Sequence, residues 1–418
     1  MRALQATRSI LHSARRQRRD LLRACFSSID DEDETPLPHT SLFKNPIVHQ
    51  LWTARQKAKN RAGRIPGTHQ ATTGKAPSES RIQIAYPFST DLLLQEAYRN
   101  PWGAMRFGKV LEDLDALAGN IAFFHVDTGA QEHPVIVTAS VDRIRLQHRP
   151  SVQQDQELSG QVTWTGRSSM EIRMQCMDGD CEWLEAYVTF VVLDPHTKKP
   201  TTIPPILPQS DHETTLYEKG AARATAKKKR REQHSLKVNT EVFDAAHELL
   251  RKAGPLLNLP SLADPQTILM SSTRMQNAMM AQPQVQNLHK RIFGGFLMRR
   301  AFELAFSNAY LFGGARPLFL EVDDVSFASP VDVGDLLVFN SRVLYTTWDG
   351  SNSIVHIEVE AWVTEPEKVQ ARISNQFYFT FMIKDKRVRD VFPSTIDEAQ
   401  RVAMRMAVDR EDDTGVAW

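Results

Sequence analysis

The feature that most constrains this chain is a repetition. Asn287 stands eight residues before Gly295, and Asn100 stands eight residues before Gly108. Each pair leads into a long apolar stretch with helical spacing; in the first copy Val110, Leu111, Leu114, Leu117 and Ala118 mark one buried face. Each stretch is followed by a run of segments rich in Val, Ile and Thr that read as strands, at 134–144, 158–165, 168–176 and 185–193, then at 317–327, 336–346, 353–363 and 372–383. Even local detail recurs. Val141-Asp142-Arg143-Ile144 resembles Val322-Asp323-Asp324-Val325, and Trp164-Thr165-Gly166 resembles Trp348-Asp349-Gly350. The offset of about 180 to 190 residues marks an internal duplication. A long helix followed by antiparallel strands buries itself best as an α+β unit, a sheet wrapped round its helix. Two such units in one chain can join their sheets.

The flanking sequence divides the rest. A chain of 418 residues with 41% hydrophobic content can build two ordinary domains with tails. We read residues 81–198 and 269–390 as the two units, 199–268 as a linker, 27–80 as an N-terminal extension and 391–418 as a C-terminal tail. A short helix near 47–57 fits the extension. The linker carries the basic run Lys227-Lys228-Lys229-Arg230-Arg231, read as a solvated helix face rather than a nucleic-acid patch. The net charge of +1 gives no global reason to expect nucleic acid as a partner. Residues 1–26 hold seven arginines among Leu, Ala and Ser, with Asp20 the only acid. That is the composition of a mitochondrial transit peptide, which places the expected protein in the matrix; a plain basic tail is the alternative. Cys25, Cys176 and Cys181 are too few for a disulfide framework and lack zinc-ligand spacing, so no metal is expected. No apolar run reaches the roughly 18 residues of a membrane span.

The chemistry gathers at the second copy. Gly294-Gly295 lets a ligand approach the backbone closely, and the first N–H groups of the following helix can receive an oxygen carrying negative charge. By itself such a pair is also just a turn. Asp115 lies seven residues after Gly108, roughly 10 Å down its own helix. It cannot reach that helix's N-terminus, but it can reach the N-terminus of a second helix packed antiparallel beside it. The copies differ in what they keep. The second has Gly294-Gly295 but Phe302 where Asp115 aligns; the first has Asp115 but Phe107-Gly108 in the turn. One composite site is therefore complete, and its mirror, pairing Asn100 and Phe107 with Phe302, lacks the acid. The arrangement suits hydrolysis of an activated acyl group. The Gly295 N–H would hold the carbonyl oxygen. Asp115 would activate water or attack directly, and Asn287 would orient the water or support the carbonyl. Against this, Asp115 belongs to the acid-rich Glu112-Asp113-Leu114-Asp115 and could be a solvated helix position, and Asn287 could be a turn or cap residue. Glu303, one position past the aligned acid, is a reserve candidate or a buried-edge salt-bridge partner, and His289 receives no role. No G-x-S-x-G elbow and no H-E-x-x-H occurs.

Asn287-Leu-His-Lys-Arg-Ile-Phe-Gly-Gly-Phe-Leu-Met-Arg299, Arg106-Phe-Gly-Lys-Val-Leu-Glu-Asp-Leu-Asp115 and Tyr86-Pro-Phe-Ser89 resemble the mitochondrial acyl-CoA thioesterases with two hotdog domains, over roughly residues 80–390. The resemblance implies a tandem hotdog, each a curved antiparallel sheet round a long central helix. It also implies hydrolysis of fatty acyl-CoA to free acid and CoA, with neither metal nor covalent cofactor, by oligomers that are often trimers of the double unit. The family's Asn at the glycine turn and Asp on the partner helix carry over onto Asn287 and Asp115. Two departures stand out: Phe293 occupies a position where many hotdog thioesterases have His, and Phe302 replaces the second acid. Contacts to acyl-CoA are expected from Gly294 and Phe293 in the turn and from Arg106, Phe107, Arg299 and Arg300. Arg291 and Lys290 also lie near enough for the phosphates, and Phe107, Leu111 and Phe302 could line the acyl tail. Two other readings stay open: an acyl-CoA-binding or assembly protein without catalysis, and a hotdog dehydratase, for which no His-acid pairing is visible.

Overall fold

Most of the helix Phe107–Val126 is buried, with Leu111, Leu114, Leu117, Ala118, Ile121 and Ala122 at 1% exposure or less. A helix apolar nearly all round has to be enclosed, and a sheet does this here. The computed structural model describes residues 46–59, 73–127, 134–236, 240–287 and 291–412. The leader at 1–26, with His289 and Lys290, lies outside the described residues.

In chain order the first repeat comprises β1 (Ile82–Tyr86), α4 (Phe107–Val126), β2 (Val135–Leu146), β3 (Gln156–Thr165), β4 (Ser169–Asp178) and β5 (Cys181–Leu193). Before α4 come α1 (Pro46–Lys59), α2 (Pro77–Ser80) and α3 (Leu92–Tyr98). The linker holds α5 (Asp211–Leu236), which carries the basic run, then α6 (Thr240–Asn258) and β6 (Thr267–Leu269). The second repeat comprises β7 (Met275–Met280), α7 (Gly294–Gly313), β8 (Leu318–Phe327), β9 (Leu336–Trp348), β10 (Ser353–Glu365) and β11 (Gln370–Ile383). Then follow β12 (Asp390–Phe392) and α8 (Ile396–Asp412).

Ten strands form one sheet in the order β1-β3-β4-β5-β2-β8-β11-β10-β9-β7. Its two halves mirror one another strand for strand, so the fold is a double hotdog. The seam is the antiparallel pair β2–β8, where the repeated motifs meet each other: Val141 faces Val325 and Ile144 faces Val322. Arg145 lies opposite Glu321 at the seam, with its Nε 3.3 Å from the carboxylate. Opposite charges facing across strands add a little stability and fix register.

Two outer helices complete the packing. The helix expected in the extension is present as α1 and packs on α4, with Ile47, Val48 and Leu51 buried in the main core. The Asn120 side chain donates to the Leu51 carbonyl at 2.6 Å, tying the two helices together. At the other end α8 returns over the second repeat, and its Arg405, 5% exposed, donates to Asp323 at 3.1 Å. Among the described residues no helix is long and apolar enough to cross a membrane.

Aromatic rings fill the core of the second repeat. Phe302 sits 5.2 Å from Phe319, 5.9 Å from Phe379, 6.0 Å from Phe381 and 6.2 Å from Phe306, centroid to centroid. Emptying such a position removes apolar burial and leaves a cavity, a cost of about 3–5 kcal/mol for Phe→Ala. Phe302→Ala is therefore expected to lower the unfolding free energy in urea by that amount while turnover per folded molecule stays within a few-fold. A loss below about 1 kcal/mol would mean that the cluster collapses to fill the gap.

Candidate active site

The central helices α4 and α7 run antiparallel in contact. A Cβ on Gly295 would lie 3.0 Å from the Glu112 backbone, and one on Gly108 would lie 3.2 Å from the Arg299 side chain. At Gly295 a side chain would press on backbone, whereas at Gly108 the Arg299 side chain would have to give by a few tenths of an ångström. Glu112 and Arg299 hold equivalent positions in the two copies, 187 residues apart, and pair with each other at 3.1 Å.

α7 begins without a cap of its own: Phe293 precedes it and offers no side-chain acceptor. Asp115 supplies one from the other repeat. Its Oδ2 accepts the Gly295 N–H at 2.6 Å, a contact between residues 180 apart. A carboxylate satisfies an orphan donor of the first turn and meets the positive end of the helix dipole. Burial nevertheless wins. Asp115 is 8% exposed and burial pushes its pKa up to about 6; the Gly295 hydrogen bond opposes this, and the nearby Glu112 charge adds to the rise.

The three acids of this segment of α4 thus have separate roles. Glu112 is held by Arg299. Asp113, fully buried, accepts the hydroxyls of Tyr86 (2.9 Å) and Tyr98, and burial pushes its pKa well up despite both bonds. The Tyr86-Pro-Phe-Ser motif therefore anchors a structural acid. Asp115 alone of the three lines the small cavity before α7.

That cavity has a volume of about 100 Å³, and Asp115, Asn287, Phe293 and Gly294 all line it. Asn287 also braces its own turn, since its Oδ1 accepts the Arg291 N–H at 3.2 Å. Asn100 repeats the brace, accepting the Ala104 N–H at 3.0 Å. The Gly295 N–H, read from sequence as the donor to a thioester carbonyl, is engaged by Asp115. The Gly294 N–H beside it has no partner among the described residues.

The remaining expected contacts lie elsewhere. Arg106, Phe107, Phe302 and Asn100 line a separate cavity of about 680 Å³ at the opposite end of the helix pair, the place of the expected mirror site. Arg299 and Arg300 donate to Glu303 at 3.1 and 2.9 Å, and Arg106 donates to it at 3.2 Å. Glu303 is thus the centre of an arginine cluster. Burial works against its charge, but Arg299 and its neighbours hold its pKa below the usual range. Two residues around Asp115 escape a reading of the sequence, Trp52 and Arg55, both on α1. Trp52 packs edge-on to Phe293, with ring centroids 5.2 Å apart. The helical pattern of 47–57 is the only signal for them, and it carries nothing about where the helix docks.

The raised pKa of Asp115 has a consequence for stability. An unfolded aspartate loses its proton near pH 4, whereas this one keeps it to about pH 6 in the folded chain. Its contribution is fully present below about pH 4, declines as pH rises and is lost above about pH 6. Asp115→Asn removes the group, so the variant is expected to gain on the wild type between about pH 4 and 7 in urea unfolding. A wild-type-minus-variant difference that stays flat over that window would contradict the assignment.

No family model matches the chain. Its likeness to known proteins is nonetheless extensive. It is 42% identical over 386 residues to the mitochondrial acyl-coenzyme A thioesterase 4 of Humulus lupulus, covering 87% of this chain and 73% of that one. The chloroplastic acyl-coenzyme A thioesterase 2 of the same plant is 40% identical, covering 87% and 89%. The human mitochondrial acyl-coenzyme A thioesterase 9 is 34% identical, covering 77% and 75%. Among solved structures, an apo-hexameric acyl-CoA thioesterase is 29% identical with a TM-score of 0.31, covering 40% of this chain and 99% of that one. With relatives this similar over most of its length, the chain belongs to the acyl-coenzyme A thioesterase family and is an enzyme of that class.

Proposed function

We propose that the chain hydrolyses acyl-CoA at one composite site built from both repeats, with Asp115 as general base. The observation that carries this is the Gly295 N–H bond to Asp115 at 2.6 Å, which sets a buried carboxylate at the N-terminus of the opposite helix. Asp115 takes a proton from water as the water oxygen bonds to the thioester carbon. The carbonyl electrons move to oxygen, and the Gly294 N–H, rather than that of Gly295, receives the developing charge. As the carbonyl re-forms, the carbon–sulfur bond breaks and the proton passes from Asp115 to the departing sulfur, giving acid and CoA. Asn287 positions the water or the carbonyl from the braced turn. The cavity of about 680 Å³ has Phe302 in place of the acid and performs no hydrolysis in this reading. Arg299, Arg300 and Arg106, committed to Glu112 and Glu303, act on the phosphates only if they exchange partners.

The relatives' names and the arginine-rich leader together support import into an organelle, and we place the protein in the mitochondrial matrix as a trimer of double hotdogs. Protein purified from that organelle should lack the leader and scatter light with the mass of three chains; a single-chain mass would overturn the assembly.

The base must be ionised to act, so kcat/KM should rise with pH through about 6 and level off above it. Asp115→Asn keeps an acceptor for the Gly295 N–H but cannot take a proton, and should cost roughly 10²- to 10⁴-fold in kcat, on the scale of general-base catalysis. Asn287→Ala should cost at least about tenfold. A thiol-release assay measures all three, and near-full turnover by Asp115→Asn would sink the composite site.

A further inference from the structure

Among the described residues Arg55 is a charge without a counter-charge. Its side chain is 8% exposed, and burial draws its pKa down to about 10, which leaves it cationic at neutral pH. Its guanidinium lies over the Phe123 ring at 4.8 Å, and Nη1 reaches only the Gly119 carbonyl, at 3.5 Å. The buried Nε has no hydrogen-bond partner, and no carboxylate pairs with the group among the described residues. Leaving a buried charge unpaired is strongly destabilising, so a chain that keeps one invites an anion into the site. Arg55 lines the same cavity as Asp115.

The dimensions restrict that anion. At about 100 Å³ the cavity is well below the roughly 300–1,000 Å³ of pockets that take a whole cofactor-sized ligand. It fits the acyl end of a thioester and leaves the nucleotide outside. Trp52 and Phe293 wall it, and Thr138 adds a hydroxyl. Gly119, against which Arg55 rests, lies one helical turn past Asp115 on α4, about 6 Å along the axis. An acyl group with two methylenes before a second carboxylate spans roughly 4 Å between its end carbons, at about 1.5 Å per bond. With the thioester carbon at Asp115, an acyl group of this length extends its anionic end toward the turn of α4 on which Arg55 rests.

We propose that Arg55 makes this site selective for short dicarboxylyl thioesters of CoA, the succinyl group foremost, by pairing with the free carboxylate. The inference rests on the Asp115 site above. The reaction is unchanged: water adds, the carbon–sulfur bond breaks, and the products are a dicarboxylic acid and CoA. Arg55 takes no proton and is a specificity-determining residue. It lies outside both repeats, so the extension, not the hotdog, sets the acyl class.

The test is thiol release from succinyl-CoA and butyryl-CoA, which match in length and differ in the terminal charge. Wild type is expected to favour succinyl-CoA in kcat/KM by about tenfold or more. Arg55→Gln should lower the succinyl-to-butyryl ratio by about 100-fold or more, mainly through KM, and Arg55→Lys should recover part of it. A wild-type preference for butyryl-CoA, or equal losses on both substrates in Arg55→Gln, overturns the proposal; equal losses would point to a CoA phosphate or to the fold. Should Arg55→Gln fail to fold, the wild-type ratio and Arg55→Lys decide. Asp115→Asn keeps the two roles apart. Butyryl-CoA hydrolysis that depends on Asp115 without succinyl-CoA turnover sinks only the role of Arg55, whereas full activity in Asp115→Asn sinks the site itself.

Discussion

The hydrogen bond from the Gly295 N–H to Asp115 joins nearly everything else in this molecule. It is a helix cap delivered from the wrong helix. α7 starts at two glycines after Phe293, with no side chain of its own to satisfy the first turn, and the acceptor comes from the middle of α4. The cap holds only if the two helices cross antiparallel at glycine-to-backbone distance, and the crossing holds only if β2 and β8 join the two half-sheets in register. One 2.6 Å contact thus depends on the whole duplicated architecture. The same contact holds a buried carboxylate whose pKa burial raises to about 6, within the range general-base catalysis near neutrality needs.

Fusion of the two repeats removes a restriction that a symmetric pair would impose. Around a true two-fold axis, equivalent residues face their own kind. Here equivalent positions carry Glu112 and Arg299, which attract where two glutamates would repel. The pair locks the crossing and leaves each end of it free to change separately. At one end is Asp115 before an acceptor-poor helix start. At the other, Phe302 joins Phe306, Phe319, Phe379 and Phe381 in an aromatic cluster. One end carries a buried carboxylate at a helix start, and the other an aromatic cluster beside a larger cavity that Arg106 and Glu303 also line.

The fold was legible in the sequence because duplication doubles every weak signal. Strand segments in both repeats and both central helices fall close to the observed elements, and the β2–β8 seam joins the very tetrapeptides whose repetition marks the copies. Periodicity reports which residues are buried along an element, so it located α4 and α7 well. It missed β1 and β7, each a short edge strand. The pairing of Asp115 with the Gly294-Gly295 turn was legible for the same reason, since spacing along a helix converts to distance. The arginines were not. Arg106, Arg299 and Arg300 read as free cations in sequence, but long side chains settle on the nearest acid, and Glu303 gathers all three. Nor was the docking of α1, an expected helix, because no local pattern says which surface a helix will cover.

That last omission matters most for chemistry. The repeats bring a buried carboxylate to a helix N-terminus, and neither group distinguishes one acyl group from another. The selection we propose requires a wall and a partner beyond the thioester, and α1 brings Trp52 and Arg55 to the cavity. Its placement is fixed by Ile47, Val48 and Leu51, which join the main core, and by the Asn120 bond to the Leu51 carbonyl. Asp115 and Arg55 line one small cavity, and no ion pair joins them among the described residues. The two charges are therefore set apart rather than neutralised. A site that sought only stability would pair them or replace both with apolar groups. Unpaired in one cavity, they suit a ligand that is uncharged at Asp115 and anionic at Arg55.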